Sequence, residues 1–118
     1  MRSKYHNKKV MFDGIIFDSK KERDRYKELS ALEDEGKISN LRLQVPYVLI
    51  PKQELPKPVR KSGRMKYSET ACKYIADFVY IDAAGNEVVE DAKGMRTAEY
   101  NIKRKLMLMV HGIQIMEI

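Results

Sequence analysis

One stretch, residues 71–94, reading ACKYIADFVYIDAAGNEVVEDAKG, constrains the fold more than any other. Two runs rich in β-branched and aromatic residues flank a small-residue turn, which predicts a β-hairpin. Each run carries an aspartate, Asp77 and Asp91, and Lys93 follows two residues after the second. Which of these share a face depends on the loop. A two-residue loop, Ala84-Gly85, pairs Ala83 with Asn86 and turns Asp77 away from Asp91. A three-residue loop, Ala83-Ala84-Gly85, pairs Asp82 with Asn86 and sets Asp77 directly across from Asp91. The second is favoured, because such loops end in a left-handed residue and Gly85 stands at that position. Alternation then puts Ile75, Asp77, Val79, Val89, Asp91 and Lys93 on one face. Tyr74, Ala76, Phe78, Tyr80, Val88, Glu90 and Ala92 fall on the other. Both faces are largely apolar, so the hairpin is expected to be central and covered on both sides.

The remaining elements arrange themselves around this hairpin. Asp13-Gly14 between apolar flanks, in VMFDGIIF, predicts a tight hairpin near the start. A helix over about 20–35 follows, with Ser19 and Glu22 at capping-box spacing and Gly36 as the stop. Its apolar stripe, Tyr26, Leu29 and Leu32, meets Glu22 when projected back one turn. Residues 41–51 predict one strand, or two short ones broken near Pro46. All four prolines lie between Pro46 and Pro58, so that region is extended rather than helical. Residues 51–70 predict a long exposed hairpin tipped near Ser62-Gly63. Thr97 caps a second helix over about 98–110, with Ala98, Ile102, Leu106, Met109 and Val110 expected on its apolar side and Gly112 at its end. A last strand, IQIMEI, closes the chain. The fold class is therefore α/β or α+β, a mixed sheet with helices packed on it, in one domain over 1–118.

Composition narrows the function. The chain has 118 residues, of which 23 are Lys or Arg against 17 Asp or Glu, a net charge of +6. The surplus favours a polyanionic partner, nucleic acid above all. No apolar run is long enough for a membrane span, and residues 1–14 lack a signal-peptide core, so the expected setting is the cytoplasm. A single cysteine, Cys72, rules out an internal disulfide, and with only His6 and His111 beside it a zinc site is not expected.

Two carboxylates opposed on a sheet repel one another, and something must offset the cost. Protonation could do so, but a bound divalent cation is more economical at neutral pH, and an all-oxygen ligand set suits Mg²⁺ or Mn²⁺. Lys93 on the same face adds a fixed positive charge. Two carboxylates and a lysine around such an ion form a plausible site for phosphodiester hydrolysis. Each residue also has a plainer reading. Glu22 is the third helical residue of a capping box, Lys93 a structural ion-pair partner, and Glu90 lies on the opposite face as a structural residue.

Asp77, a turn, then Asp91-Ala92-Lys93 resembles the PD-(D/E)XK signature of the restriction-endonuclease-like nucleases, without its proline, since Ile75 and Ala76 precede Asp77. The wider run FDGIIFDSKKERDRY…LRLQV…YIADFVYID…VVEDAKG is similar to small phage and prophage proteins of that superfamily and covers most of the chain. The resemblance implies a restriction-endonuclease-like core and a metal-dependent endonuclease acting on DNA in a bacterial host cell, encoded by phage or prophage. It implies Asp77, Asp91 and Glu22 as metal ligands with the Ala92 carbonyl, Lys93 as the residue that positions the attacking water, and Gln44 near the active site. A homodimer suits an enzyme whose single site cuts one strand.

Phosphate contacts are expected from Lys52, Lys57, Arg60, Lys61, Arg64 and Lys66 on the 51–70 hairpin, and from Lys103 and Lys105 if the second helix borders the cleft. Otherwise these are solvated faces. Tyr67 and Tyr74 are base-stacking candidates, with strand packing as the alternative. The alternative for the whole chain is a non-catalytic nucleic-acid-binding protein that retains the fold.

Overall fold

The computed structural model describes residues 9–92 and 96–118. The protein is α+β with mixed sheets and two helices. In chain order it runs β1 (Val10–Phe12), β2 (Ile15–Phe17), α1 (Lys20–Asp34), β3 (Ser39–Ile50), β4 (Gln53–Lys61), β5 (Arg64–Glu69), β6 (Cys72–Ile81), β7 (Glu87–Asp91), α2 (Ala98–His111) and β8 (Met116–Glu117). A four-stranded sheet has the order β3-β6-β7-β8, so the β6–β7 hairpin is central. It is mixed, with β6–β7 antiparallel and β7–β8 parallel. The β1–β2 and β4–β5 hairpins are separate two-stranded sheets. No helix among the described residues is long and apolar enough to cross a membrane.

The chain divides into two compact units. Among the described residues the first comprises 9–45, 76–92 and 115–118; the second comprises Pro46–Ile75 and Arg96–Gln114. The first unit's core gathers Phe17, Leu29, Ile38, Phe78, Tyr80 and Ala92. Helix α1 supplies Leu29 to it, and its two buried residues are Glu22 and Leu29, both on the stripe read from the sequence. Ser19 Oγ accepts the Glu22 N–H at 3.1 Å and starts the helix. Gly36, at φ +76°, follows the last turn and donates to the Glu33 carbonyl. In the second unit Leu49, Tyr74, Tyr100 and Met107 are buried, and the Tyr74 and Tyr100 rings lie 6.4 Å apart.

Of the two readings of residues 41–51 the structure has the single strand, and one other expectation needs correction. Residues 39–50 form one unbroken strand through Pro46. Strand β3 is at the sheet edge, where a missing N–H need not break the ladder. On α2 the buried residues are Tyr100 and Met107, whereas Ile102, Leu108, Met109 and Val110 are exposed. The run Leu106–Val110 is apolar in every direction around the helix, so periodicity did not single out the packed side. Both caps of α2 agree with the sequence: Thr97 Oγ1 accepts the Tyr100 N–H, and Gly112 is left-handed at φ +67°. His111, the last residue of α2, places Nε2 2.7 Å from the Val48 carbonyl, with its ring 5.4 Å from that of Tyr47.

Candidate active site

The β6–β7 register is the one that the three-residue loop requires. Phe78 pairs with Glu90, Val79 with Val89, Tyr80 with Val88 and Ile81 with Glu87. The Asp82 N–H donates to the Asn86 carbonyl and the Gly85 N–H to the Asp82 carbonyl. Asp82 Oδ1 accepts from the N–H groups of both Ala84 and Asn86, which locks the turn. Continued one step past Phe78 and Glu90, this register sets Asp77 opposite Asp91. Asp91 is 1% exposed. Its carbonyl accepts the Ile118 N–H, and it pairs with Glu117 of β8, so strands flank it on both sides.

Three further residues of the first unit converge on Asp77. Gln44 Nε2 donates to Asp77 Oδ1 and to Glu22 Oε1, each at 3.3 Å, and bridges the two acids. The Ala92 N–H donates to Asp77 Oδ2 at 2.8 Å. Glu22 therefore has two separate roles. Its backbone is part of the helix cap, while its carboxylate belongs to the acid cluster. Burial, with Glu22 only 7% exposed, pushes its carboxyl up to about 7. The negative charges of Asp77, Asp18 and Asp91 act in the same direction, and a backbone hydrogen bond at Asp18 opposes them.

Gln44 holds its position at a backbone cost. Its φ is +52° within β3, the left-handed region that side-chain-bearing residues seldom adopt, and such strain costs of order 1–3 kcal/mol. The bend aims the amide of an otherwise exposed residue at Glu22 and Asp77.

Glu90, read from strand parity as a structural residue on the other face, is fully buried. Arg25 grips it with both arms of its guanidinium, Nε to Oε1 at 2.7 Å and a terminal nitrogen to Oε2 at 2.6 Å. The Tyr80 hydroxyl also donates to Oε2. Burial and this bond push the Tyr80 phenol up to about 12, and the pairing with Glu90 raises the Arg25 guanidinium too. The sequence reading omitted Arg25. Its signal was present: Arg25 lies one turn before Leu29, on the side of α1 that packs inward.

Lys93 lies outside the described residues. The cations assigned to phosphate all belong to the second unit. Lys66 pairs with Glu69 at 2.9 Å, Lys103 with Glu99 at 3.1 Å, and Lys52 lies 3.7 Å from Glu54. Lys57, Arg60, Lys61, Arg64 and Lys105 are exposed. Tyr74 is core, whereas Tyr67 is 62% exposed. Cys72 is a half-buried free thiol of β6.

The donors at the cluster are hard carboxylate oxygens, the set that Mg²⁺ or Mn²⁺ prefers. Among the described residues no three His, Cys, Asp or Glu side chains already stand at metal-ligating separation. The Gln44 amide and the Ala92 N–H occupy oxygens of Glu22 and Asp77 that a cation would share. The residue types fit a divalent ion, and the raised Glu22 carboxyl is the protonation that such an ion would reverse.

No curated protein and no solved structure matches the chain. A family profile matches residues 2–115, and on that match the chain belongs to the DUF1064 family of proteins of unknown function.

Proposed function

We propose that this protein is a metal-dependent endonuclease that hydrolyses phosphodiester bonds in DNA, with the first unit as a restriction-endonuclease-like core. The observation that carries the proposal is the Gln44 bridge that holds Glu22 beside Asp77, with the charge of Asp91 acting on the same carboxyl. A buried Glu22 carboxyl responds to the charge of both aspartates, and a strained glutamine ties it to one of them. Acidic clusters of this kind are costly to fold, and perturbed carboxyls in them point to function. Glu22, Asp77 and Asp91, with the Ala92 carbonyl, would hold Mg²⁺ or Mn²⁺, which supplies Lewis-acid polarisation of the phosphate and acidification of a water. Gln44 fixes the spacing of Glu22 and Asp77, and the Ala92 N–H fixes the rotation of the Asp77 carboxylate. Lys93, in the proposed role, orients the attacking water and balances charge on the phosphoryl oxygens. The resemblance of the Asp77…Asp91-Ala92-Lys93 pattern to PD-(D/E)XK enzymes supports the same reading, as does the net charge of +6. The proposed setting is the cytoplasm of a bacterial host, with a homodimer as the form suited to cutting both strands.

A second reading, a nucleic-acid-binding protein without catalysis, draws support from the amide donors that already serve Glu22 and Asp77. Two measurements separate the readings. Calorimetric titration with Mn²⁺ should give binding to wild type and none to Asp91→Ala. Cleavage of linear, nicked, forked and four-way DNA in Mg²⁺ or Mn²⁺ should be lost in Lys93→Ala while DNA affinity is kept. No metal binding at millimolar concentration, or normal cutting by Lys93→Ala, would sink the hydrolytic proposal.

A further inference from the structure

The β4–β5 hairpin is a regular ribbon at its outer end. Ser62 and Gly63 form the tip, both left-handed at φ +51° and +77°, the conformation of a two-residue type I′ turn. The register is Lys61↔Arg64, Arg60↔Met65 and Val59↔Lys66. Alternation therefore gathers Lys61, Arg64 and Lys66 on one face with Val59, and sets Arg60, Met65 and Tyr67 on the other. Lys61 and Arg64 are directly cross-strand, where like charges repel. Among the described residues neither has an ion-pair partner; only Lys66 on that face has one, Glu69. A tip that pairs two cations against each other and leaves both in solvent is stabilised when an anion reaches it.

We propose that this ribbon is a groove-binding element for B-form duplex DNA. It would lie in the major groove, with Lys61, Arg64 and Lys66 directed at backbone phosphates. The inference rests on the reading of the partner as nucleic acid and does not depend on hydrolysis. Three observations select the duplex. A two-stranded ribbon fits the major groove of B-DNA, about 12 Å wide, whereas the corresponding groove of an RNA duplex is too narrow for protein side chains to read. Single-strand binders need successive aromatic platforms, and Tyr67 is the one aromatic residue between Gln53 and Glu69. Pro56 and Pro58 sit in β4, where the register shifts between Glu54 and Val59, so a partner protein cannot extend the sheet along that strand.

The test is fluorescence anisotropy in EDTA, so that no cutting intervenes, with a labelled DNA duplex, the RNA duplex of the same sequence and the DNA single strand. Wild type should bind the DNA duplex most tightly. The slope of log affinity against log salt should shrink by about 2 in Lys61→Ala/Arg64→Ala, one phosphate contact for each cation removed. Lys61→Glu controls for folding, because it replaces a repulsive cross-strand pair with an attractive one. It should melt no lower than wild type and lose most of the duplex affinity. Equal or tighter binding of RNA duplex or single strand, an unchanged salt slope, or undiminished binding by Lys61→Glu would each overturn the assignment. Loss of cleavage in Asp91→Ala with this binding intact would instead bear on the hydrolytic reading alone.

Discussion

Glu90 and Asp91 are neighbours on β7, yet they act on different groups. Glu90 has no exposure and is met by a guanidinium fork and a phenol. Its charge is matched in sign and in geometry, the arrangement by which a buried carboxylate becomes part of a scaffold. One residue on, Asp91 faces Asp77, and both charges bear on Glu22, whose carboxyl is raised to about 7 as a result of burial and of their proximity. Among the donors described there, those to Glu22 and Asp77 are neutral amides. The contrast teaches that burial alone does not mark a site. What marks it is a buried carboxyl, Glu22, raised by the charges of two aspartates, beside a hairpin on which Glu90 meets a guanidinium and a phenol.

The comparison can be broken most sharply at the chemistry. Asp91→Ala should lower the rate of DNA cutting by at least about 10²–10³-fold in a Mn²⁺ assay, the scale on which removing one charge-stabilising group acts. Cutting at the wild-type rate would reduce Asp91 to the structural status of Glu90. Next in size is the scaffold side. Arg25→Ala strands a buried carboxylate and should destabilise the protein by about 3–5 kcal/mol in urea unfolding. A loss under about 1 kcal/mol would mean that Glu90 is solvated on opening and is no more a scaffold than Asp91.

The pH dependence sharpens the contrast. Glu22 has a folded pKa above its unfolded one, so its contribution to stability is fully present below about 4.5 and is lost as pH rises through about 7. The loss should approach about 3 kcal/mol without divalent metal. Glu22→Gln should flatten that part of the stability–pH curve, and Mn²⁺ should do the same in wild type. A curve of identical shape in Glu22→Gln would show that the cluster does not repel as described. The smallest effect is expected at Gln44. Gln44→Ala removes two hydrogen bonds while keeping the backbone strain, and should cost about 1 kcal/mol of stability, with a larger relative effect on cutting than on melting. A change in melting alone would make Gln44 structural.

Much of this arrangement was legible in the sequence, for local reasons. Gly85 stands where a three-residue loop needs a left-handed residue, and that one position sets which side chains of β6 and β7 face each other. Ser19, Thr97, Gly36 and Gly112 punctuate the helices through short-range hydrogen bonds that spacing reveals. Interactions between distant positions were harder to read. The partners Arg25 and Glu90 are 65 residues apart, and no local rule links them. Helix α2 carries too much apolar material for its period to identify an inward side. Pro46 left open whether β3 was one strand or two, because a missing N–H breaks a ladder only where the strand is not at the edge. The bridge from Gln44 to Glu22 and Asp77 depends on a backbone bend that no residue type announces, since glutamine is not a turn former.

That bend places position 44 under two demands that pull apart. A glycine would relax the main chain there but has nothing with which to reach either acid. An asparagine tolerates the conformation better than most residues but is one methylene shorter. A substitution scan at this position should accordingly separate variants that fold more firmly from variants that work, and glutamine should be the compromise between them.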